Sequence, residues 1–165
     1  MAGKSTFLRT VSLHIVMANV GLPVCAASSN YHPVKLITSM RTSDSLTDES
    51  SYFFSELTRL KFIVDAIQEE PYFIVLDEIL KGTNSTDKAI GSKKFVEKLV
   101  ASNATGIIAT HDLSLCEIEN ELQEVKNYYF DAEIINDELH FDYQFKKGVC
   151  SNMNASFLLK KMDIV

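Results

Sequence analysis

The chain of 165 residues lacks the cysteine patterns that mark disulfide frameworks and zinc sites. Its three cysteines, Cys25, Cys116 and Cys150, form no C-x-x-C pair, and no group of histidines accompanies them. Free thiols persist in a reducing compartment, so we expect a cytoplasmic protein. Long apolar runs are also lacking. The run from Val11 to Val24 is short and is interrupted by polar residues, which predicts a buried helix and no membrane partner.

An excess of positive charge is lacking as well. The sequence has 16 basic and 22 acidic residues, which gives a formal net charge of −6. Domains that bind nucleic acid usually carry a basic face. We therefore expect that any DNA contacted by the intact protein is bound mainly by other domains. The length and the 46% hydrophobic content fit one globular domain over residues 1–165.

Short apolar strands alternate with helices along most of the chain. The predicted strands are Val34–Met40, YFIVLDE from residue 72 and ATGIIATHD from residue 104, the latter two buried, and the predicted helices are Lys4–Asn19, Ser51–Glu69, Ala89–Ala101 and Ala155–Met162. LKGTNSTDK, residues 80–88, is predicted to be a loop, and a β-hairpin is predicted around Asn136 and Asp137. This pattern predicts a three-layer α/β domain with a mostly parallel sheet, which the antiparallel hairpin extends at one edge.

Gly3–Thr6 reads G-K-S-T, the ending of a phosphate-binding loop, and a predicted helix follows directly. The complete motif is G-x-x-x-x-G-K-[ST] after a strand, and here its first glycine and that strand would precede Met1. A helix N-terminus attracts anions. In such a site Lys4 would reach the β- and γ-phosphates, and the Ser5 hydroxyl would ligate Mg²⁺. The alternative is an exposed glycine and lysine near a chain start.

Two of the predicted strands end in residues suited to nucleotide chemistry. Asp77 would hold Mg²⁺ through water, and Glu78 would orient and deprotonate an attacking water. His111 follows the other strand, where a neutral imidazole could sense a γ-phosphate, although a lone histidine is more often structural. Solvated strand ends are the alternative for the two acids. Because ligands of open α/β sheets bind beyond the carboxyl ends of the strands, we expect these three residues together.

The segments AGKSTFLRTV, ESSYFFSEL, FIVLDEILKGTNSTDKAIGS and IIATHDLS occur in this order. In order and spacing they resemble the C-terminal ATPase domain of the MutS family of DNA mismatch-repair proteins, which are ABC-type ATPases of the P-loop NTPase fold. The resemblance covers about residues 1–120, and the ending KKGVCSNMNASFLLKKMDIV also resembles the end of that domain. It implies binding and hydrolysis of ATP with Mg²⁺, with phosphate contacts from Gly3, Lys4, Ser5 and Thr6.

The resemblance also implies a site shared between two subunits. Ser51 matches the family's signature serine, which contacts the γ-phosphate of ATP bound to the partner, and a helix N-cap is its alternative role. Asn84 and Asp87 match the loop that crosses the subunit interface, and His111 matches the switch histidine. We therefore expect a homodimer with two composite ATP sites, in which ATP-driven dimerisation is coupled to DNA binding by domains outside this chain.

Two departures from the family pattern qualify these expectations. Leu80-Lys81 stands where mismatch-repair members typically have Gly-Arg, which favours a divergent MutS-like branch. The first strand and the Gly-Pro-Asn of the loop would precede Met1, so we expect a truncation inside the loop and weak ATP binding with little turnover by this chain. Two alternatives stay open: another ABC-type ATPase, which the lack of an L-S-G-G-Q segment disfavours, and a non-catalytic interaction module of the same fold.

Overall fold

The computed structural model describes residues 3–40, 49–102, 104–135, 138–150, 159 and 161–164, without the side chains of residues 49–52 and 139. The chain forms two compact units. One is Ser5–Val125, and the other combines Met1–Lys4 with Lys126–Val165. Within the described residues, no helix is long and apolar enough to cross a membrane. The expectation of a single domain over residues 1–165 stays a prediction.

The larger unit is built around a parallel sheet of three strands. In chain order the elements are α1 (Lys4–Asn19), β1 (Lys35–Ser39), α2 (Glu49–Glu69), β2 (Tyr72–Asp77), α3 (Ser85–Ala101), β3 (Thr105–Ala109) and the short α4 (Leu113–Cys116), which a 3-10 turn at Glu117–Asn120 follows. The strand order is β1-β2-β3, so that β2 is central. Ile74 is in register with Ile37 on one side and Gly106 on the other.

Helices cover both faces of this sheet. On one face, Leu8 of α1 packs with Val75 and Ala109. On the other face, Ile74 and Leu76 of β2 join a larger core with residues of α2, α3 and α4, namely Leu60, Ile63, Ile67, Phe95, Val96, Leu99 and Leu115. Because successive side chains of a strand point to opposite faces and both faces are covered, the buried middle of β2, residues 74–76, must be apolar, as it is. The predicted three-layer α/β arrangement is confirmed in this unit.

Several predicted boundaries were wrong. The helix α2 begins at Glu49, two residues before the predicted start, and α3 begins at Ser85, four residues early. The observed loop is therefore shorter than the predicted loop 80–88. Asn84 caps α3, and the residues from Ser85 onward belong to the helix. The start of β3 is exposed at Thr105 and Gly106, contrary to the prediction of a buried strand. Only one neighbouring strand covers it among the described residues.

The second unit contains two antiparallel strand pairs. β4 (Tyr128–Tyr129) pairs with β7 (Lys146–Lys147), and β5 (Ala132–Ile135) pairs with β6 (Glu138–Phe141). The hairpin is confirmed, although Asn136 and Asp137 lie outside the described residues. Its predicted role as an extension of the parallel sheet is wrong: among the described residues, β5 and β6 pair with each other in a separate two-stranded sheet. Most of the predicted helix Ala155–Met162 lies outside the description.

Candidate functional site

A hydrogen bond joins the start of α1 to the end of β2. Ser5 Oγ donates to Asp77 Oδ2 over 2.7 Å, and both residues are half-buried. The apolar residues of β2 carry Asp77 to the carboxyl end of the central strand, and Leu8 anchors α1 on the sheet face that contains Val75. Packing therefore brings together the two residues that the sequence predicts as Mg²⁺ ligands.

The backbone turns into α1 at Gly3. This residue has φ of +86°, in the left-handed region that glycine adopts without strain. The helix begins at the next residue, Lys4, so Lys4, Ser5 and Thr6 form its first turn. Backbone N–H groups in the first turn of a helix have no partner within that helix, and the helix dipole is positive there. This end of α1 is suited to a phosphate group.

The Ser5–Asp77 pair fits a magnesium ion. Oxygen ligands in adjacent positions of a Mg²⁺ octahedron lie about 3 Å apart, given bonds of about 2.1 Å. The observed 2.7 Å between Ser5 Oγ and Asp77 Oδ2 is close to that spacing. Mg²⁺ commonly takes only one or two protein ligands and completes its shell with water and phosphate. Among the described residues, no group of three or more His, Cys, Asp or Glu side chains could hold a metal ion.

Glu78 follows Asp77 in a left-handed conformation, with φ of +61°. Its N–H donates to the Ala109 carbonyl over 2.8 Å, which continues the β2–β3 pairing by one residue. Each oxygen of its carboxylate lies near a nitrogen atom of a basic side chain. His111 Nε2 lies 3.5 Å from Oε1, and Lys81 Nζ lies 3.5 Å from Oε2. The Glu78 side chain is 23% exposed and that of His111 is 61% exposed, so a water molecule can approach both.

Three contacts fix the loop after Glu78. Leu80, which has φ of +55°, is buried and lies against Gly91 of α3. The Glu56 carboxylate of α2 accepts the Lys81 N–H, at 3.0 Å from Oε2 and 3.3 Å from Oε1. Phe53 of α2 lies against Gly82, where an added Cβ would come within 2.9 Å of the Phe53 Cβ. Sequence reasoning missed Glu56. Its place three residues after Phe53 on one helix face is the only signal that the sequence offers.

Asn84 and Asp87 bond to each other at the start of α3. Asn84 Oδ1 accepts the Asp87 N–H over 2.9 Å, and Asn84 Nδ2 donates to Asp87 Oδ2 over 2.7 Å. Both side chains are exposed. Only Asn84 precedes the helix, because Asp87 lies in its first turn. The prediction that both belong to one loop is wrong for Asp87, while their contact with a partner subunit stays a prediction.

Ser51 is the third residue of α2, which begins at Glu49. It therefore lies in the first turn of the helix and is not its N-cap, the alternative that the sequence left open. The cap position falls within residues 41–48, outside the description. The first-turn position leaves the backbone of Ser51 in the part of the helix where N–H groups have no intrahelical partner.

His111 is followed by a tightly bonded turn. Asp112 N–H donates to Thr110 Oγ1 over 3.0 Å, and Asp112 Oδ1 accepts the N–H and the hydroxyl of Ser114 over 2.9 and 2.6 Å. These bonds make Asp112 the N-cap of α4. The bond from the Ser114 hydroxyl is the main reason that the pKa of Asp112 lies below its ordinary value. The turn thus fixes the backbone on both sides of His111.

Known proteins match the chain over nearly its whole length. A family profile described as MutS domain V matches residues 1–160. The chain is 31% identical over 163 residues to the DNA mismatch repair protein MSH4 of Arabidopsis thaliana, a match that covers 98% of the chain and 20% of that protein. It is also 31% identical over 162 residues to the MutS protein homolog 4 of Homo sapiens, a match that covers 93% of the chain and 17% of that protein.

A third relative extends the comparison. The DNA mismatch repair protein MutS of Natronomonas pharaonis is 32% identical over 151 residues, with 90% of the chain and 17% of that protein covered. The chain spans about a fifth of the length of the curated relatives that it matches. Since the family profile covers all but the last few residues, the chain belongs to the MutS family and corresponds to its domain V.

Proposed function

We propose that this chain is the ATP-binding and ATP-hydrolysing domain of a MutS-like DNA mismatch-repair protein. MutS family proteins are ATPases, and the membership of the chain supports the same activity for the intact protein. The observation that carries the proposal is the 2.7 Å bond between Ser5 Oγ and Asp77 Oδ2. It joins two segments 72 residues apart, and each segment on its own already suggested a nucleotide site.

The first turn of α1 binds the phosphates in this proposal. Gly3 allows the backbone to enter the helix, Lys4 contacts the β- and γ-phosphates, and Ser5 and Thr6 supply hydroxyl and N–H groups. Ser5 and Asp77 would hold Mg²⁺, directly or through water. When bound, this ion neutralises charge on the phosphate oxygens and orients them for attack.

Glu78 is the general base for hydrolysis. Its carboxylate accepts a proton from the attacking water, and its position directly after Asp77 keeps it beside the phosphate end of the nucleotide. His111 acts as the γ-phosphate sensor. The separation of 3.5 Å between His111 Nε2 and Glu78 Oε1 supports a single water that contacts both side chains.

The complete site requires two subunits. Ser51 contacts the γ-phosphate held by the partner, and Asn84 and Asp87 lie at the interface. The net charge of −6 supports DNA contact through other domains of the intact protein. Leu80-Lys81 in place of Gly-Arg supports a divergent branch of the family.

Magnesium-dependent nucleotide binding tests the proposal. We expect Ser5→Ala in the intact protein to weaken Mg-ATP binding by about tenfold, which corresponds to about 1.4 kcal/mol, and to weaken binding of metal-free ATP much less. Isothermal titration calorimetry with and without Mg²⁺ measures both. Thr10→Ala, an exposed change on the same helix, is the matched control and should bind as the wild type does. Absence of Mg-ATP binding in the wild type, or equal binding by Ser5→Ala, would refute the proposed site.

A further inference from the structure

Two residues of the loop between β2 and α3, Glu78 and Leu80, have a left-handed backbone conformation. Glu78 and Leu80 have φ of +61° and +55°, and residues with side chains enter this left-handed region only at a cost. Such conformations persist when the surroundings enforce them. The orientation of Glu78 therefore depends on the groups that hold the next few residues.

Helix α2 supplies two of these groups from a single face. Phe53 packs against Gly82, where even a Cβ would be too close at 2.9 Å. Glu56 accepts the Lys81 N–H with its carboxylate, the nearer oxygen being 3.0 Å away. Residues three apart on a helix are neighbours on its surface. Phe53 and Glu56 thus hold adjacent positions of the loop, one by packing and the other by a hydrogen bond to a charged acceptor.

Lys81 connects this bond to the proposed base. Its N–H is held by Glu56, and its Nζ lies 3.5 Å from Glu78 Oε2. The Lys81 side chain is only 16% exposed, and that of Glu78 is 23% exposed, so the ion pair is shielded from much of the solvent. A backbone shift at Lys81 would move both its ammonium group and the turn that carries Glu78.

We propose that Glu56 is a positioning residue for ATP hydrolysis, which acts through Lys81 to orient Glu78. The inference rests on the proposed function, because it takes Glu78 as the general base. The Glu56 carboxylate accepts the Lys81 N–H, so we assign it no direct contact with the nucleotide. Its effect is on the rate of the chemical step, which is sensitive to small displacements of a catalytic group.

Two substitutions at Glu56 separate this role from a general loss of structure. In the intact protein, we expect Glu56→Ala to lower the single-turnover hydrolysis rate by about tenfold and to change the ATP dissociation constant by less than about twofold. Glu56→Gln retains an oxygen that can accept the Lys81 N–H, so its rate should stay within about threefold of the wild type. Glu69→Ala, an exposed change at the end of α2, is the matched control and should leave both quantities unaltered.

Glu78→Gln distinguishes failure of this inference from failure of the proposed function. Equal hydrolysis by Glu78→Gln and wild type would overturn the proposed base, and the role of Glu56 with it. Slow hydrolysis by Glu78→Gln together with a wild-type rate for Glu56→Ala would overturn only the role of Glu56. A rate for Glu56→Gln as low as that for Glu56→Ala would also overturn it, since the hydrogen bond would then not be the cause.

Hydrogen exchange in the nucleotide-free protein gives a readout that does not depend on activity. In Glu56→Ala, the Lys81 amide loses its acceptor and should exchange at least about tenfold faster. The amides of β2, Tyr72–Leu76, should keep their wild-type rates, because their partners are in the sheet. Faster exchange confined to the loop supports the inference. Unchanged exchange at Lys81, or equal acceleration in β2, would overturn it.

Discussion

Leu80 occupies the space that a side chain at Gly91 would need. A Cβ placed on Gly91 would lie 2.6 Å from Leu80 Cδ1, and Leu80 is buried although it adopts a left-handed conformation. The contact joins the loop after β2 to the second turn of α3. Because close packing in the core holds Leu80 in place, the same contact limits the conformations that the loop from Glu78 to Asn84 can adopt.

Gly91→Ala should destabilise the protein. At an exposed helix position this change is favourable by up to about 1 kcal/mol, but here the added methyl group overpacks the core, and we expect a loss of about 1–3 kcal/mol. Urea unfolding measures the free energy. Lys94→Ala, a change at an exposed position of the same helix, should stay within about 0.5 kcal/mol of the wild type. A Gly91→Ala protein as stable as the wild type would show that the contact is not restrictive.

Glu78→Gln should separate ATP binding from ATP hydrolysis. Glutamine has nearly the same shape but cannot accept a proton from water, so we expect hydrolysis to slow by roughly two to four orders of magnitude while ATP stays bound. Single-turnover kinetics and nucleotide titration measure the two steps. Glu124→Gln, an exposed change in a turn, serves as the control. Loss of ATP binding in Glu78→Gln would instead assign Glu78 a structural or metal-binding role.

Sequence reasoning predicted the parts of the fold that depend on local pattern. The segment that forms β2 is a continuous apolar run between Pro71 and two acids. Such a run predicts a strand that is buried on both faces. Once β2 is central in a parallel sheet, the carboxyl ends of β2 and β3 place Glu78 and His111 at one edge. The contact between their side chains was therefore predictable from the order of the elements.

The loop after β2 could not be predicted, because long-range packing determines it. Leu80 gives no local signal for a left-handed residue, and its side chain packs in the core against Gly91, far along the chain from its own turn. The bond from Lys81 N–H to Glu56 spans 25 residues. The early start of α3 did have a local cause in the Asn84 cap, because an asparagine before Ser-Thr-Asp is itself a helix-start signal.

The Asp112 cap predicts a pH-dependent contribution to stability. Hydrogen bonds from Ser114, with the charge of Lys88 as a lesser cause, hold the pKa of Asp112 below its ordinary value. A lowered folded-state pKa means that the carboxylate stabilises the fold above its unfolded pKa, near 3.9, and that this contribution is lost as the pH falls through the folded-state value.

Asp112→Asn tests the charge, because asparagine can still cap the helix. We expect Asp112→Asn to be less stable than the wild type at about pH 6 and the difference to shrink steadily below about pH 4. Denaturant unfolding across this range measures it. In a Ser114→Ala background, which removes the hydroxyl donor, the loss of stability caused by Asp112→Asn at about pH 6 should be smaller. A difference that grows on acidification would contradict the assigned cause.

Ser51 should act on the nucleotide of the partner subunit. It lies in the first turn of α2, where N–H groups and the helix dipole suit an anion, whereas Ser5 and Asp77 bond to each other without it. Ser51→Ala should therefore leave the first ATP-binding step nearly intact and weaken ATP-dependent dimerisation. The expected cost is roughly 1.5–3 kcal/mol per site, that of one hydrogen bond to a charged group. Analytical ultracentrifugation with and without ATP measures it.

Mixing two inactive variants tests whether Ser51 works across the interface. When Ser51→Ala subunits combine with Lys4→Ala subunits, one composite site of each mixed dimer carries both changes and the other carries none. Because the second site is complete, ATPase activity in the mixture should rise toward half of the wild-type value, although each variant alone is poor. Titrating one variant into the other while counting mixed dimers by mass spectrometry gives the measurement. If mixed dimers form and activity stays at the level of the parents, Ser51 serves only its own subunit, and the shared site is wrong.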